Sequence, residues 1–271
     1  MASDSTSLQA LAGAEQGLLR VGRVVGSGLL FATFGVGAVI LAAVLIPIAV
    51  WLRRDAEPSD LIAQRWIQRS FALYVRFGKA IHMWDFDPSS LAPLAQGPYL
   101  VVANHPSLMD VVFLISGMPQ ADCVVKSEAW DNPALRLIVR AANYIPNADG
   151  ESLVQECIRR LQAGRSVILF PEGSRSPDRG LAPFKRGAAH AALRSGCRIL
   201  PVAIDCQPPA LKKGQAWHAI PLEKPCYAFD IGQPLEAGDL VESGASPAQA
   251  ARRVTAWLRS YFEARLDHGL A

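Results

Sequence analysis

Between Arg23 and Arg53 the chain runs for 29 positions without a charged residue. About 20 apolar residues in a helix cross the hydrocarbon core of a bilayer, so this stretch is long enough to span a membrane or to enter and bend. A cleaved signal peptide fits poorly, because 23 residues precede the run and the run exceeds the ~7–15 residues of a signal core. A buried helix of a soluble domain would not need so many uncharged positions. Membrane insertion is the expectation, with Gly26, Gly28, Gly35 and Gly37 tolerable in such a helix and Pro47 able to kink it.

Residues 59–83 change character. Arg65, Arg69, Arg76 and Lys79 recur at about whole helical turns, with Trp66, Ile67, Phe71, Tyr74, Phe77 and Ile81 on other faces. Two readings fit equally: a basic amphipathic helix lying in a headgroup layer, or an ordinary surface helix packed on the rest of the protein. The organisation expected is an N-terminal extension at 1–23, a membrane-anchoring unit at 24–83, and an α/β domain at 84–271. Arg53, Arg54, Arg65 and Arg69 follow the apolar run, against Arg20 and Arg23 before it, which puts residues after 52 on the cytoplasmic side of the inner membrane. The five cysteines are odd in number and scattered, and the five histidines are dispersed, so neither a disulfide frame nor a metal site is expected. A net charge of +3 does not argue for nucleic acid.

Beyond residue 95, strand-like runs at 99–102, 121–126, 166–170, 199–204 and 227–231 alternate with helical patterns at 108–117, 132–142, 151–163 and 187–195. The tail at 248–266 reads as a closing amphipathic helix. This is the pattern of an α/β fold, a mixed sheet layered with helices.

Three stretches carry chemistry. In "VVANHPSLMD", residues 101–110, a buried strand runs into an Asn-His pair. Ser107 is expected as the N-cap of the next helix, with Asp110 in its positive first turn. That account leaves His105 unexplained. A histidine at the carboxyl edge of a sheet stands where α/β proteins bind ligands, and a carboxylate one turn away can fix its tautomer. Such a dyad is a general base without a nucleophile, so the reacting hydroxyl or amine must come with a second substrate. In "VILFPEGSRS", residues 167–176, Glu172, Gly173, Ser174 and Arg175 follow a second strand, and an arginine beside hydroxyls suits a phosphate or carboxylate, though a turn with a surface ion pair reads the same way. Lys185 and Arg186 then precede a helix start, which either binds anions or is a solvated basic turn.

Taken together, "NHPSLMD", "FPEGSRS", "FKRGAAHAA" and "ILPVAI" resemble, in order and spacing, the motif blocks of the glycerolipid acyltransferases that acylate lysophosphatidic acid and related lysophospholipids. The resemblance covers roughly residues 60–235. It implies one acyl transfer without a covalent enzyme intermediate, in which His105 takes the proton of the acceptor hydroxyl and Asp110 holds the imidazole. The donor would be a thioester of coenzyme A or acyl carrier protein, used as a co-substrate with no further cofactor and no metal. Backbone N–H groups near Ser107 would stabilise the oxyanion. Asn104, Ser107, Glu172, Gly173, Ser174, Arg175, Lys185 and Arg186 would form the substrate-binding set, with Arg175 on the acceptor's phosphate and the lysophospholipid arriving from the bilayer.

One segment departs from that pattern. Phosphatidate-forming members carry a basic residue between the first and third blocks, whereas "AANYIPNADGES" has none between Arg140 and Arg159. Lys126, Arg136 and Arg140 are the neighbouring substitutes. A second reading keeps the chemistry with a non-phosphatidate acceptor, as in aryl polyene lipid assembly, and a third is an inactive membrane scaffold. A serine hydrolase is disfavoured, since "EGSRS" lacks the Gly-x-Ser-x-Gly elbow.

Overall fold

The computed structural model describes residues 2–53, 55–126, 130–131, 135–147, 150–267 and 269–270, with side chains from residue 15 onward. Arg54, the start of the expected helix at 132–142, and residues 148–149 of the departing segment lie outside the described residues.

Among the described residues, seven strands form one mixed sheet in the order β1-β7-β6-β2-β5-β3-β4. They are β1 (Asp85–Phe86), β2 (Leu100–Ala103), β3 (Asp122–Val125), β4 (Ile145–Pro146), β5 (Val167–Leu169), β6 (Ile199–Gln207) and β7 (Cys226–Ile231). All pairings are parallel except β6 with β7, which run antiparallel from Val202 opposite Ile231 to Gln207 opposite Cys226. The five expected strands are present. The two-residue strands β1 and β4 are too short to leave a periodic signal.

β2 is central, and all four of its residues are buried. A run of apolar residues without alternation is what a parallel interior strand covered on both faces requires. Val101 and Ala103 face one core with Phe113, while Leu100 and Val102 face the other with Ala188, Val254 and Phe262. The helices are α1 (Ala2–Ile40), α2 (Ile46–Arg53), α3 (Ser59–Ala80), α4 (Asp110–Ser116), α5 (Arg136–Ala141), α6 (Glu151–Gln162), α7 (Gly187–Ser195) and α8 (Pro247–Leu266). The first core lies under α1, α3, α4 and α5, and the second under α6, α7 and α8. Helix α7 stops at Gly196, whose φ of 68° is the left-handed conformation glycine adopts at no steric cost. Helix α8 starts with a full capping box between Ser246 and Gln249.

The apolar run is helical, with a π-helical segment at Leu41–Leu45 joining α1 to α2. From Glu15 to Arg53 it is long and apolar enough to cross a membrane. It is not set apart from the rest of the molecule. Ser27, Leu30, Ala38 and Leu41 are buried at helical spacing, and Ile46 and Ala49 continue the stripe after the π segment. From Leu41 to Ile46 the step is five residues instead of three or four, and the wider π turn absorbs the extra residue so that one face stays inward. The opposite face is apolar and open, with Val36, Trp51 and Leu52 each more than half exposed.

Helix α3 settles the choice between its two readings in favour of packing. Ala63, Ile67 and Val75 are buried in the same core as Phe113, so the core runs across the expected boundary at residue 84. Of its cations, Arg65 pairs with Glu57 and Lys79 bonds the Phe86 carbonyl at 2.7 Å, while Arg69 and Arg76 are exposed.

A buried ionic node ties α3 and α6 to β3. The Asp122 carboxylate, wholly out of water, accepts from Gln64 Nε2 (2.9 Å), Arg160 Nη1 (3.0 Å) and Arg165 Nε (2.7 Å). Removing one partner of such a set strands the remaining buried charge. Asp122→Asn is therefore expected to lower unfolding free energy by about 3–5 kcal/mol, as read from urea denaturation of the detergent-solubilised protein.

Candidate active site

Where β2 ends, Asn104 extends its grip on β6. Its buried amide donates to the Ile204 carbonyl (2.8 Å) and accepts from the Ile204 N–H (2.7 Å). This anchors the next residue at the sheet edge. His105 is held through its backbone: its N–H faces Glu172 Oε1 and Ser176 Oγ, both at 3.2 Å, and its carbonyl accepts from Ser176 N at 2.7 Å. The ring stacks on Phe170 with centroids 4.3 Å apart.

Nδ1 of His105 lies 2.8 Å from Asp110 Oδ2. The same oxygen accepts the Ser107 N–H at 2.7 Å. Asp110 is completely buried, and burial pushes its carboxyl above the usual carboxylate range while the histidine pulls it back. The imidazole side chain remains 16% exposed. With Nδ1 committed to the carboxylate, Nε2 is the nitrogen available to exchange a proton with a substrate.

Ser107 does not cap the helix as expected. Helix α4 starts at Asp110, with Met109 in the N-cap position and no side-chain cap. The Ser107 hydroxyl instead lies 2.8 Å from the Tyr227 hydroxyl and accepts the Met109 N–H at 3.3 Å. The expected oxyanion donors are also engaged. Ser107 N–H goes to Asp110, Leu108 N–H to the Leu211 carbonyl (3.1 Å), and Asp110 N–H to the Ser107 carbonyl (3.4 Å). The turn spends its amides on holding the dyad. Tyr227, on β7, was invisible to sequence reasoning because nothing in a strand pattern reveals which hydroxyl it meets 120 positions away.

The second loop follows β5, the neighbour of β2. Glu172 is only 6% exposed, and its carboxylate accepts from His105 N, from Ser176 Oγ at 2.5 Å and from Ala182 N at 2.9 Å. It braces the two loops from behind. Gly173 has a φ of 68°, and a Cβ there would come within 3.0 Å of Lys185 Cε and 3.1 Å of its Nζ, so glycine serves both the turn and the close approach of that ammonium. Ser174 Oγ bonds the Arg175 carbonyl at 3.2 Å. Arg175 Nη1 bonds the carbonyls of Leu211 (2.9 Å) and Lys212 (2.8 Å), so part of its guanidinium is spent on the segment between β6 and β7.

A cavity of about 1060 Å³ opens beside the dyad. Its polar lining includes His105, Lys126, Ser174, Arg175 and Lys185, with Arg23 and Glu151, and Gly173 lines it as well. Away from them its walls are apolar, including Phe34, Phe71, Val112 and Ile138. Of the expected site residues, Asn104, Ser107, Asp110, Glu172 and Arg186 stand outside the lining, the first four as supports. Lys126 is the substitute cation that reaches the cavity, and Arg136 and Arg140 do not line it. His190 on α7 lines it as well, a residue that one turn of helix places beside Lys185 and Gly187. Glu172→Gln, which keeps the shape but turns one acceptor oxygen into a donor, is expected to cost about 1–3 kcal/mol in thermal unfolding.

Comparison with known proteins follows the same residues. A family model for acyltransferases matches residues 87–205. The chain is 25% identical over 180 residues to a chloroplastic 1-acyl-sn-glycerol-3-phosphate acyltransferase of Brassica napus, covering 63% of this chain and 50% of the relative. It is 34% identical over 135 residues to the lyso-ornithine lipid O-acyltransferase of Brucella abortus, covering 45% and 50%. The chain spans about half the length of the curated relatives it matches. In fold it is similar to the crystal structure of the 1-acyl-sn-glycerophosphate acyltransferase of Thermotoga maritima, with a TM-score of 0.66 at 23% identity over 89% of this chain and 97% of that one.

Proposed function

We propose, from the match of an acyltransferase family model to residues 87–205, that the chain moves an acyl group from a thioester of coenzyme A or acyl carrier protein to the hydroxyl of a lysophospholipid, lysophosphatidic acid in the first place. The observation that carries this reading is a His105–Asp110 pair at 2.8 Å beside a mostly apolar cavity whose lining also carries Lys126, Arg175 and Lys185. A lysophospholipid and an acyl thioester need both environments.

In this reading Nε2 of His105 takes the proton of the acceptor hydroxyl as its oxygen attacks the thioester carbonyl. Asp110 stabilises the imidazolium. The tetrahedral intermediate collapses, the C–S bond breaks, and the imidazolium returns the proton to the leaving thiolate. Lys126, Arg175 and Lys185 face the acceptor's phosphate, and the apolar walls take the acyl chain. The open apolar face of α1 and α2 docks the enzyme on the bilayer that supplies the acceptor, on the cytoplasmic side of the inner membrane.

A second acceptor is favoured by a specific feature. Asn147 and Glu151 line the cavity, and the segment between Arg140 and Arg159 puts no cation there. An acceptor bearing an amine as well as an anionic group suits that wall, and one of the relatives is named for a lyso-ornithine lipid.

The test uses purified protein in detergent, palmitoyl-CoA and palmitoyl-acyl carrier protein as donors, and mass spectrometry of the lipid products. Phosphatidic acid should form from lysophosphatidic acid, and His105→Ala should slow it about 10²–10⁴-fold. Product from lyso-ornithine lipid alone would move the assignment to the second acceptor. Equal rates for the wild type and His105→Ala would sink the mechanism.

A further inference from the structure

The sheet and its covering helices do not close the cavity by themselves. Leu30, Phe31, Phe34 and Gly35 of α1 form part of its wall. A wall made by a segment near the chain's end is only as well placed as the contacts that hold it. Those contacts are unusually polar for a helix this apolar.

Arg23 Nε donates to the Pro221 carbonyl at 2.8 Å, Nη1 to the His82 carbonyl at 3.1 Å, and Nη2 to the Met83 carbonyl at 3.2 Å. One rigid, planar guanidinium thus joins α1 to the turn that follows α3 and to the segment between β6 and β7. One turn further along the same face, Ser27 Oγ donates to the Trp217 carbonyl at 2.5 Å. The Phe31 ring packs on the Trp217 ring at 6.3 Å, and a Cβ at Gly28 would lie 3.4 Å from that ring, so the helix sits close to this segment. The segment it grips is also the one whose Leu211 and Lys212 carbonyls hold Arg175 and whose Leu211 carbonyl receives Leu108 N–H. Arg23 and Ser27, which themselves line the cavity at the start of the α1 wall, therefore fix α1 against the element that steadies the dyad turn.

We propose that Arg23, with Ser27, is a positioning residue for the acyl chain: it sets the depth and angle at which α1 walls the cavity, and so the preference of the site for long chains over short ones. This rests on the acyl-transfer reading above. A long chain must contact the α1 wall to gain its binding energy, whereas a short chain held near His105 does not reach it. Chemistry at Nε2 is the same for both, so the effect belongs in the binding of the long-chain donor.

Arg23→Ala, Arg23→Lys and Ser27→Ala would be compared with wild type, as the full chain in detergent, using palmitoyl-CoA and hexanoyl-CoA. The ratio of kcat/KM for palmitoyl over hexanoyl is expected to fall about tenfold in Arg23→Ala, carried by KM for the palmitoyl donor. Arg23→Lys, which keeps the charge but loses the fork, should fall between, and Ser27→Ala should move the ratio the same way by less. Equilibrium binding of each thioester, followed by tryptophan fluorescence, reads the same wall without turnover. A lower Tm in Arg23→Ala with an unchanged ratio and unchanged affinities would overturn the proposal and leave Arg23 as a stabilising contact only. If the wild type binds palmitoyl-CoA in an Arg23-dependent way but transfers nothing, the acyl-transfer reading fails and the positioning role stands. Chain-length-independent binding would remove the positioning role, whatever the turnover.

Discussion

Asp110 lies wholly out of water, and an isolated carboxylate in that position would be untenable without donors aimed at it. The Ser107 N–H and His105 Nδ1 both meet Oδ2, at 2.7 and 2.8 Å, while Oδ1 is buried with no partner among the described residues. Once they do, little of the surrounding turn is free to move. Ser107 must keep its amide inward, which leaves its hydroxyl to Tyr227, and the histidine ring must lie flat on Phe170. Glu172 then locks the backbone of His105 to the loop after β5. The imidazole is thus positioned from behind by Asp110, Ser107 and Glu172, which do not line the cavity, and from the side by Phe170, which does. The site sits at the carboxyl ends of adjacent parallel strands, where diverging loops open a crevice that a sheet interior cannot.

The N-terminal helix resolves what would otherwise be two competing demands on one apolar segment. One stripe completes the core under the sheet, and the opposite stripe stays open and apolar. A π segment keeps the inward stripe in phase over its whole length. The same helix therefore serves as a cavity wall and as a surface suited to lipid.

Much of the site was legible. His105 and Asp110 stood out through the resemblance of "NHPSLMD" to an acyltransferase block, the strand end, histidine and carboxylate by themselves also fitting a plain helix start, and the structure brings the two side chains together. Gly173, Ser174, Arg175 and Lys185 reach the cavity as their loop positions suggested. The division of labour within the loops was not legible. Ser107 and Glu172 have the residue types of ligand contacts and the surroundings of braces, because a buried oxygen is satisfied by whichever polar group is nearest in space, here the Tyr227 hydroxyl and the Ala182 N–H. The amides that looked available for an oxyanion were taken for the same reason.

From sequence alone came the α/β class, the five longer strands, the terminal helix, the apolar segment and the two loops that hold the chemistry, since each is written in local periodicity or in residues a few positions apart. Tertiary structure alone decided that the apolar segment packs along the sheet domain and lines its cavity, that α3 shares the core, and that of Lys126, Arg136 and Arg140 it is Lys126 that lines the cavity. These depend on which faces meet across long separations in the chain. Helical periodicity shows that a face exists, and only the folded packing shows what lies against it.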